Sequence, residues 1–236
     1  MLTIPIVHEH NDFLIINKPA GIGVHQEGEK SGIIPLLCAQ LGVTQLWLVH
    51  RLDTLTSGCL LVAKNAEAAA TLSNLFKQRE VQKYYLAITD KKPKKKMGSV
   101  IGDMKKARSA QWMLTSTIEN PAISQFMSKG LFDGKRLILI KPHTGKTHQI
   151  RVMLKSLSSP ILGDELYGGT SADRAYLHAF ALKFNYQDQI ITSQCEAQSG
   201  KLFIQMQQQE LLGDFQHPEQ LNWPALKLKN TGHQHG

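Results

Sequence analysis

Apolar positions along the chain recur with two different periods. Residues 4–7 and 13–16 read as a short strand pair separated by the polar turn His8-Glu9-His10-Asn11-Asp12. Residues 33–41 predict a helix that tolerates Pro35 in its first turn and closes at Gly42. The continuous apolar run 59–63 predicts a strand, after which Asn65 caps a helix whose Ala68, Leu72, Leu75 and Phe76 share one face. Residues 82–88 alternate as a strand, so Tyr84 and Tyr85 face opposite sides of it. Further strands are predicted over 109–114, 122–126 and 136–140, the last two joined at Asp133-Gly134, and over 180–184 and 201–206. Thr147 reads as the cap of a helix that buries Ile150, Met153, Leu154 and Leu157 and ends at Ser158-Ser159-Pro160. Together these predict an α+β fold, a mixed and mainly antiparallel sheet flanked by helices.

Length and composition narrow the class. The 236 residues are 42% hydrophobic, ample for one large core, and residues 1–236 read as a single domain with its patterned part at about 4–206. No long apolar run or signal-peptide pattern occurs, so no membrane association and a cytoplasmic location are expected. Cys38, Cys59 and Cys195 lack metal-site or disulfide spacing and read as small buried hydrophobes. No metal, cofactor or protein partner is implied. Residues 209–236 form a polar tail to which no function is assigned.

Charge changes the picture more. Lys and Arg number 27 against 19 Asp and Glu, a net +8, and residues 91–108 hold eight basic residues against one acid, Asp103. This segment reads as a mobile loop or irregular hairpin. A solvated lysine-rich loop and the footprint of a polyanion binder both fit it.

Candidate chemistry lies in three blocks. The first is Asn17-Lys18-Pro19-Ala20-Gly21, leading to His25, where Pro19 and the glycines require a tight turn. The second, His50-Arg51-Leu52-Asp53-Thr54-Leu55-Thr56-Ser57-Gly58, sets a carboxylate beside a permanent cation at the entrance to a strand. The third runs from Thr144-Gly145-Lys146-Thr147-His148-Gln149-Ile150-Arg151 through Pro160-Ile161-Leu162-Gly163-Asp164 to Tyr167-Gly168. Its Gly-Lys-Thr is no P-loop, because position 140, where the first glycine would stand, is Ile140.

The His-Arg-Leu-Asp-x-x-Thr-Ser-Gly block resembles the signature of the RluA-type pseudouridine synthases. Lys83-Tyr84-Tyr85-Leu86-Ala87 resembles that family's second motif, the Arg151 block its third, and Leu177-His178-Ala179 a later element, whereas Met153 stands where the family often carries His. The resemblance implies a stand-alone catalytic domain without the small S4 RNA-binding domain of some relatives. It implies isomerisation of uridine to pseudouridine in a ribosomal or transfer RNA stem-loop, with Asp53 as nucleophile, Arg151 paired to it and Tyr85 against the uracil. Arg51, His50, Thr56, Lys18, His148 and Gln149 are candidate substrate contacts, and Lys94, Lys95 and Lys96 candidate phosphate contacts. A non-catalytic RNA-binding module would account for the basic segment alone, but not for Asp53, Tyr85 and Arg151 together.

Overall fold

The computed structural model describes residues 2–25 and 31–226. Strands and helices follow in the order β1 (Ile6–Glu9), β2 (Phe13–Lys18), α1 (Ile33–Leu41), β3 (Trp47–Leu48), β4 (Ser57–Ala63), α2 (Ala66–Gln78), β5 (Gln82–Thr89), β6 (Met97–Gly102), β7 (Met104–Lys106), β8 (Trp112–Leu114), β9 (Ala122–Gly130), β10 (Arg136–Pro142), α3 (Gln149–Ser156), β11 (Leu177–Tyr186), β12 (Gln189–Gln194) and α4 (Lys201–Gln208). Ten strands form one sheet whose main path is β1-β2-β4-β11-β5-β10-β9-β6, with β12 added to β11 and β3 to β4; β7 and β8 pair separately. Every pairing is antiparallel except β4 with β11. No helix among the described residues is long and apolar enough to cross a membrane.

β2 and β4 read as unbroken apolar runs because both faces of the sheet are covered here. Phe13, Ile15, Leu61 and Ala63 pack with Ala68 and Leu72 of α2, while Leu14, Ile16, Leu60 and Val62 pack with Ile33 and Leu37 of α1. Asn65 caps α2 as predicted, its Oδ1 accepting from the Ala68 amide at 2.8 Å. Arg79 closes that helix at φ +64°, a left-handed conformation that costs an L-residue roughly 1–2 kcal/mol.

The parallel pair decides where the functional loops meet. It sets Ser57 and Gly58 beside His178 and Ala179, and Ala179 in turn lies opposite Tyr85. Tyr85 is opposite Ile140 near the end of β10, whose continuation enters α3. The strands approach so closely at Gly58 (φ +109°) that a Cβ there would stand 2.1 Å from the Ala179 carbonyl oxygen. Gly58→Ala is therefore expected to cost about 3 kcal/mol or more, the scale of overpacking added to a left-handed L-residue. Thermal unfolding should show a Tm lower by roughly 6–12 °C; an unchanged Tm would mean that the strands separate freely at this point.

Four sequence expectations change. Residues 201–206 are helix, not strand, because Phe203 and Met206, three apart, are the buried positions, with Phe203 against Tyr176 at 5.1 Å. A short apolar run is ambiguous in period, and packing decides it. Of the two expectations for residues 91–108 the loop falls and the irregular hairpin stands: β6 pairs with β9 along its whole length, β7 pairs with β8, and the Ser128 amide donates to the Lys96 carbonyl. α3 begins after His148, which holds the N-cap position at φ +57° without a side-chain capping hydrogen bond, and not after Thr147; the Gln149 side chain ties the preceding turn instead. The supposed tail packs: Phe215 is buried, Trp223 lies 6.0 Å from the Tyr84 ring, and Lys141 sits over both rings. The last part of that tail, 227–236, lies outside the described residues.

Candidate active site

The turn preceding β4, the middle of β5 and the segment entering α3 enclose a cavity of about 440 Å³. Asp53, Tyr85 and Arg151 all line it, so residues 98 positions apart in sequence meet in one cleft. The Thr56 amide donates to the Asp53 carbonyl at 2.9 Å, which tightens the turn and aims the carboxylate inward. Oδ2 of Asp53 lies 3.5 Å from Nη1 of Arg151.

Arg151 does not hold Asp53 bidentately. Its Nε and Nη2 donate to the two oxygens of Asp164 at 2.7 and 2.8 Å, leaving Nη1 for Asp53. Both partners of this fork are buried, Arg151 at 5% and Asp164 at 1% side-chain exposure, whereas Asp53 is 20% exposed. Burial works against the Arg151 cation, but the hydrogen bonds and charge of Asp164, with the charge of Asp53, outweigh it and hold its pKa above the ordinary arginine value. The guanidinium also lies over the Tyr167 ring at 4.8 Å. Asp164 stands inside the third sequence block, and the signal that could have found it is physical: a buried arginine needs a carboxylate partner.

Tyr85 points into the cavity while Tyr84 packs on the other face against Trp223. Burial, and then the nearby Asp53 charge, raise the Tyr85 pKa, so its hydroxyl stays protonated at neutral pH. It can stack or donate a hydrogen bond, but it does not rest there as a phenolate base. Arg51 is exposed at the cavity rim, and among the described residues it makes no ion pair.

Several candidate contacts prove to be scaffold. Lys18 is fully buried; its Nζ donates to the carbonyls of Pro19 at 2.9 Å and Ile22 at 2.7 Å, with Thr54 O at 3.5 Å. Burial foremost, with Arg174 nearby, lowers its pKa to about 8 against the opposing pull of Asp53. It ties the first sequence block to the Asp53 turn. His50 Nε2 accepts the Leu61 amide of β4 at 2.9 Å, between the stretches of that strand paired to β11 and β3, and its ring stacks on Phe76 at 4.2 Å. Burial first, then Lys83, lowers its pKa to about 3, so it remains a neutral acceptor.

Gln149 uses both ends of its amide: Nε2 donates to Ile123 O and Ser124 Oγ, and Oε1 accepts from Thr144 Oγ1 and the Lys146 amide. Nothing is left for substrate. Thr56 is buried in the cavity wall, and His148 lines the cavity with its Nδ1 taken by the Tyr167 hydroxyl at 2.9 Å. Lys94, Lys95 and Lys96 are exposed but do not line the cavity, and His25 lies at a separate depression.

Beneath the Asp53 turn runs a directed chain of hydrogen bonds that the sequence did not disclose. Arg174 Nη2 donates to Ser57 Oγ, Ser57 Oγ meets His178 Nδ1, and His178 Nε2 meets the Cys195 carbonyl, each at 2.8 Å. Because a carbonyl can only accept, His178 carries its proton on Nε2 and Ser57 donates to Nδ1. Burial chiefly lowers the His178 pKa to about 4, against about 6.5 in an unfolded chain. Below pH 6.5 the unfolded state gains a proton that the folded state refuses until about pH 4, so stability falls with acidification through that window. His178 alone should contribute about 1.4 kcal/mol per pH unit there. Urea unfolding of His178→Gln should show a correspondingly shallower acid slope than wild type, and an equal slope would refute the assignment.

The family model for RNA pseudouridylate synthase matches residues 12–156. An uncharacterised RNA pseudouridine synthase of Haemophilus influenzae is 50% identical over 205 residues, covering 86% of this chain and 92% of that protein. Ribosomal large subunit pseudouridine synthase C of Escherichia coli K12 is 34% identical over 197 residues, 77% of this chain, which spans 62% of that protein's length. Among solved structures, human RNA pseudouridylate synthase domain containing 1 superposes with a TM-score of 0.70 at 27% identity, covering 83% of this chain and 84% of that one. With a family model matching more than half of the chain and a half-identical relative matched along nearly its whole length, the chain belongs to the RNA pseudouridine synthases, the isomerases that convert uridine in RNA to pseudouridine.

Proposed function

We propose that residues 1–236 act as one catalytic unit on a uridine in structured RNA, with Asp53 as the nucleophile. The reaction breaks the N1–C1′ bond and joins C5 to C1′; the C5 proton leaves and N1 ends protonated, so no oxidant or reductant is consumed. The observation that carries this reading is the single exposed-to-buried line Asp53–Arg151–Asp164: a carboxylate at the cavity floor facing a cation that is itself locked by a second carboxylate. A nucleophilic carboxylate must stay charged when RNA closes over it and removes water, and a fixed guanidinium supplies the compensation.

The target must leave its stack to reach Asp53. Arg51, planar and without an ion-pair partner among the described residues, is suited to fill the vacated space and stack on a neighbouring base. Large-subunit ribosomal RNA is the first substrate to examine, because the E. coli relative is named for it; transfer RNA is the alternative. A transcriptome-wide pseudouridine map of cells with and without the gene should lose a site in one of these RNAs. An identical map in both would overturn the reading.

Tyr85 supplies a ring for stacking and a protonated hydroxyl for donation. Tyr85→Phe keeps the first and removes the second, so KM should stay within about threefold while kcat falls by roughly two orders of magnitude, the lower range for loss of a proton-transfer group. An unchanged kcat would restrict Tyr85 to stacking.

A further inference from the structure

The cavity has a second bank, of which only Lys83 belongs to a motif singled out in the sequence. The end of α2 and the start of β5 bring Lys77, Arg79 and Lys83 to its wall, and Asp53 is the one carboxylate among its described lining residues. None of the three cations forms an ion pair or side-chain hydrogen bond within the described residues, and Glu80, next in sequence, is not within ion-pair distance of them. Lys83 and Arg79 are close enough for one charge to disfavour the other. Lys83 is fixed over the Phe76 ring at 5.9 Å, on a stack that continues into His50. Cations gathered without a counter-ion beside a reaction cavity raise the free energy of the empty protein and lower it when an anion arrives.

Arg79 adds an independent observation. It occupies the left-handed closing position of α2 with its amide bonded to Leu75 O and Phe76 O, a position where glycine is the unstrained residue. A strained, exposed arginine on a cavity wall points to a use for the side chain. The local alternative is a favourable cation at a helix C-terminus, which Lys77 or any lysine would also provide.

We infer that Lys77, Arg79 and Lys83 form a phosphate-binding bank that grips the RNA backbone next to the flipped nucleotide. The inference rests on the pseudouridine synthase reading and adds to it which wall the strand crosses. These contacts position the strand without reading its bases, so they govern affinity and salt dependence rather than site choice.

Arg79→Gly separates the two accounts, because it removes the guanidinium and the strain together. The full-length protein is titrated into a fluorescein-labelled stem-loop RNA with uridines in its loop, and anisotropy is followed between about 50 and 200 mM KCl. Tritium release from transcripts labelled at uridine C5 reports turnover separately. The bank predicts a Tm equal to or above wild type, a Kd raised about five- to tenfold, and a salt slope reduced by roughly 0.7–0.9. Lys77→Ser combined with Arg79→Gly should reduce the slope by roughly 1.4–1.8. A lowered Tm with wild-type Kd and slope assigns Arg79 to the helix end and overturns the inference. So does wild-type binding that lacks salt dependence, or a raised Kd with an unchanged slope. A wild-type protein that binds this RNA but releases no tritium from either ribosomal or transfer RNA transcripts counts against the catalytic reading, and leaves the binding comparison to decide the bank.

Discussion

Asp53→Asn is expected to leave a protein that folds and binds RNA as wild type does, yet forms no pseudouridine. The substitution keeps the size and hydrogen-bonding capacity of the side chain and removes only the charge that attacks. Its effect on stability should be small. Arg151 retains both hydrogen bonds to Asp164, so no buried cation is left unpaired, and the pair lost is a single 3.5 Å contact to a carboxylate that is 20% exposed. Partly exposed pairs of this kind contribute about 1 kcal/mol or less. Removing a nucleophile, by contrast, should lower turnover by at least about four orders of magnitude. The measurement is tritium release from C5-labelled RNA, with Tm and RNA affinity taken on the same preparation. Residual turnover within a hundredfold of wild type, with Tm and affinity intact, would remove Asp53 from the chemistry.

Asp164→Ala should give the converse result on stability. It takes away both oxygens that hold Nε and Nη2 and leaves a guanidinium with 5% side-chain exposure facing only Asp53. Breaking a buried ion pair from one side costs about 3–5 kcal/mol, because the surviving charge keeps its desolvation penalty without its partner. For a chain of this length that lowers Tm by roughly 6–20 °C. Activity should fall as well, since Arg151 is then free to rotate away from the nucleophile. Asp164→Asn is the informative companion: it keeps one acceptor and the shape, so it should recover part of the stability. The two carboxylates that share Arg151 thus make opposite predictions, Asp53 for rate and Asp164 for folding. A Tm for Asp164→Ala within about 2 °C of wild type, the shift roughly 0.5–1 kcal/mol would produce, would show that the fork contributes no net stability.

Much of the architecture was legible along the chain because strand and helix periods are local properties. The alternation at 82–88 placed Tyr84 and Tyr85 on opposite faces, the Asn65 cap marked the start of α2, and Asp133-Gly134 marked a hairpin; each depends on neighbours a few residues away. The motifs also located the cavity, since Asp53 and Arg151 came from the second and third blocks and Tyr85 from the Lys83–Ala87 motif. What the sequence could not determine is how each polar group is partnered. His50 and Gln149 belong to the same blocks as Asp53 and Arg151, and Lys18 to the first block, yet their donors and acceptors are used on backbone and buried side chains, which makes them scaffold. Only the tertiary structure decided that Asp164 holds Arg151, that Arg174 and His178 support Ser57, and that residues 201–208 are helical. The helix at 201–208 was decided by the packing of Phe203 and Met206, which a short apolar run leaves open. The two polar cases share another reason: burial removes water as a partner, and the substitute must come from whatever the fold brings within 3 Å, irrespective of distance along the chain.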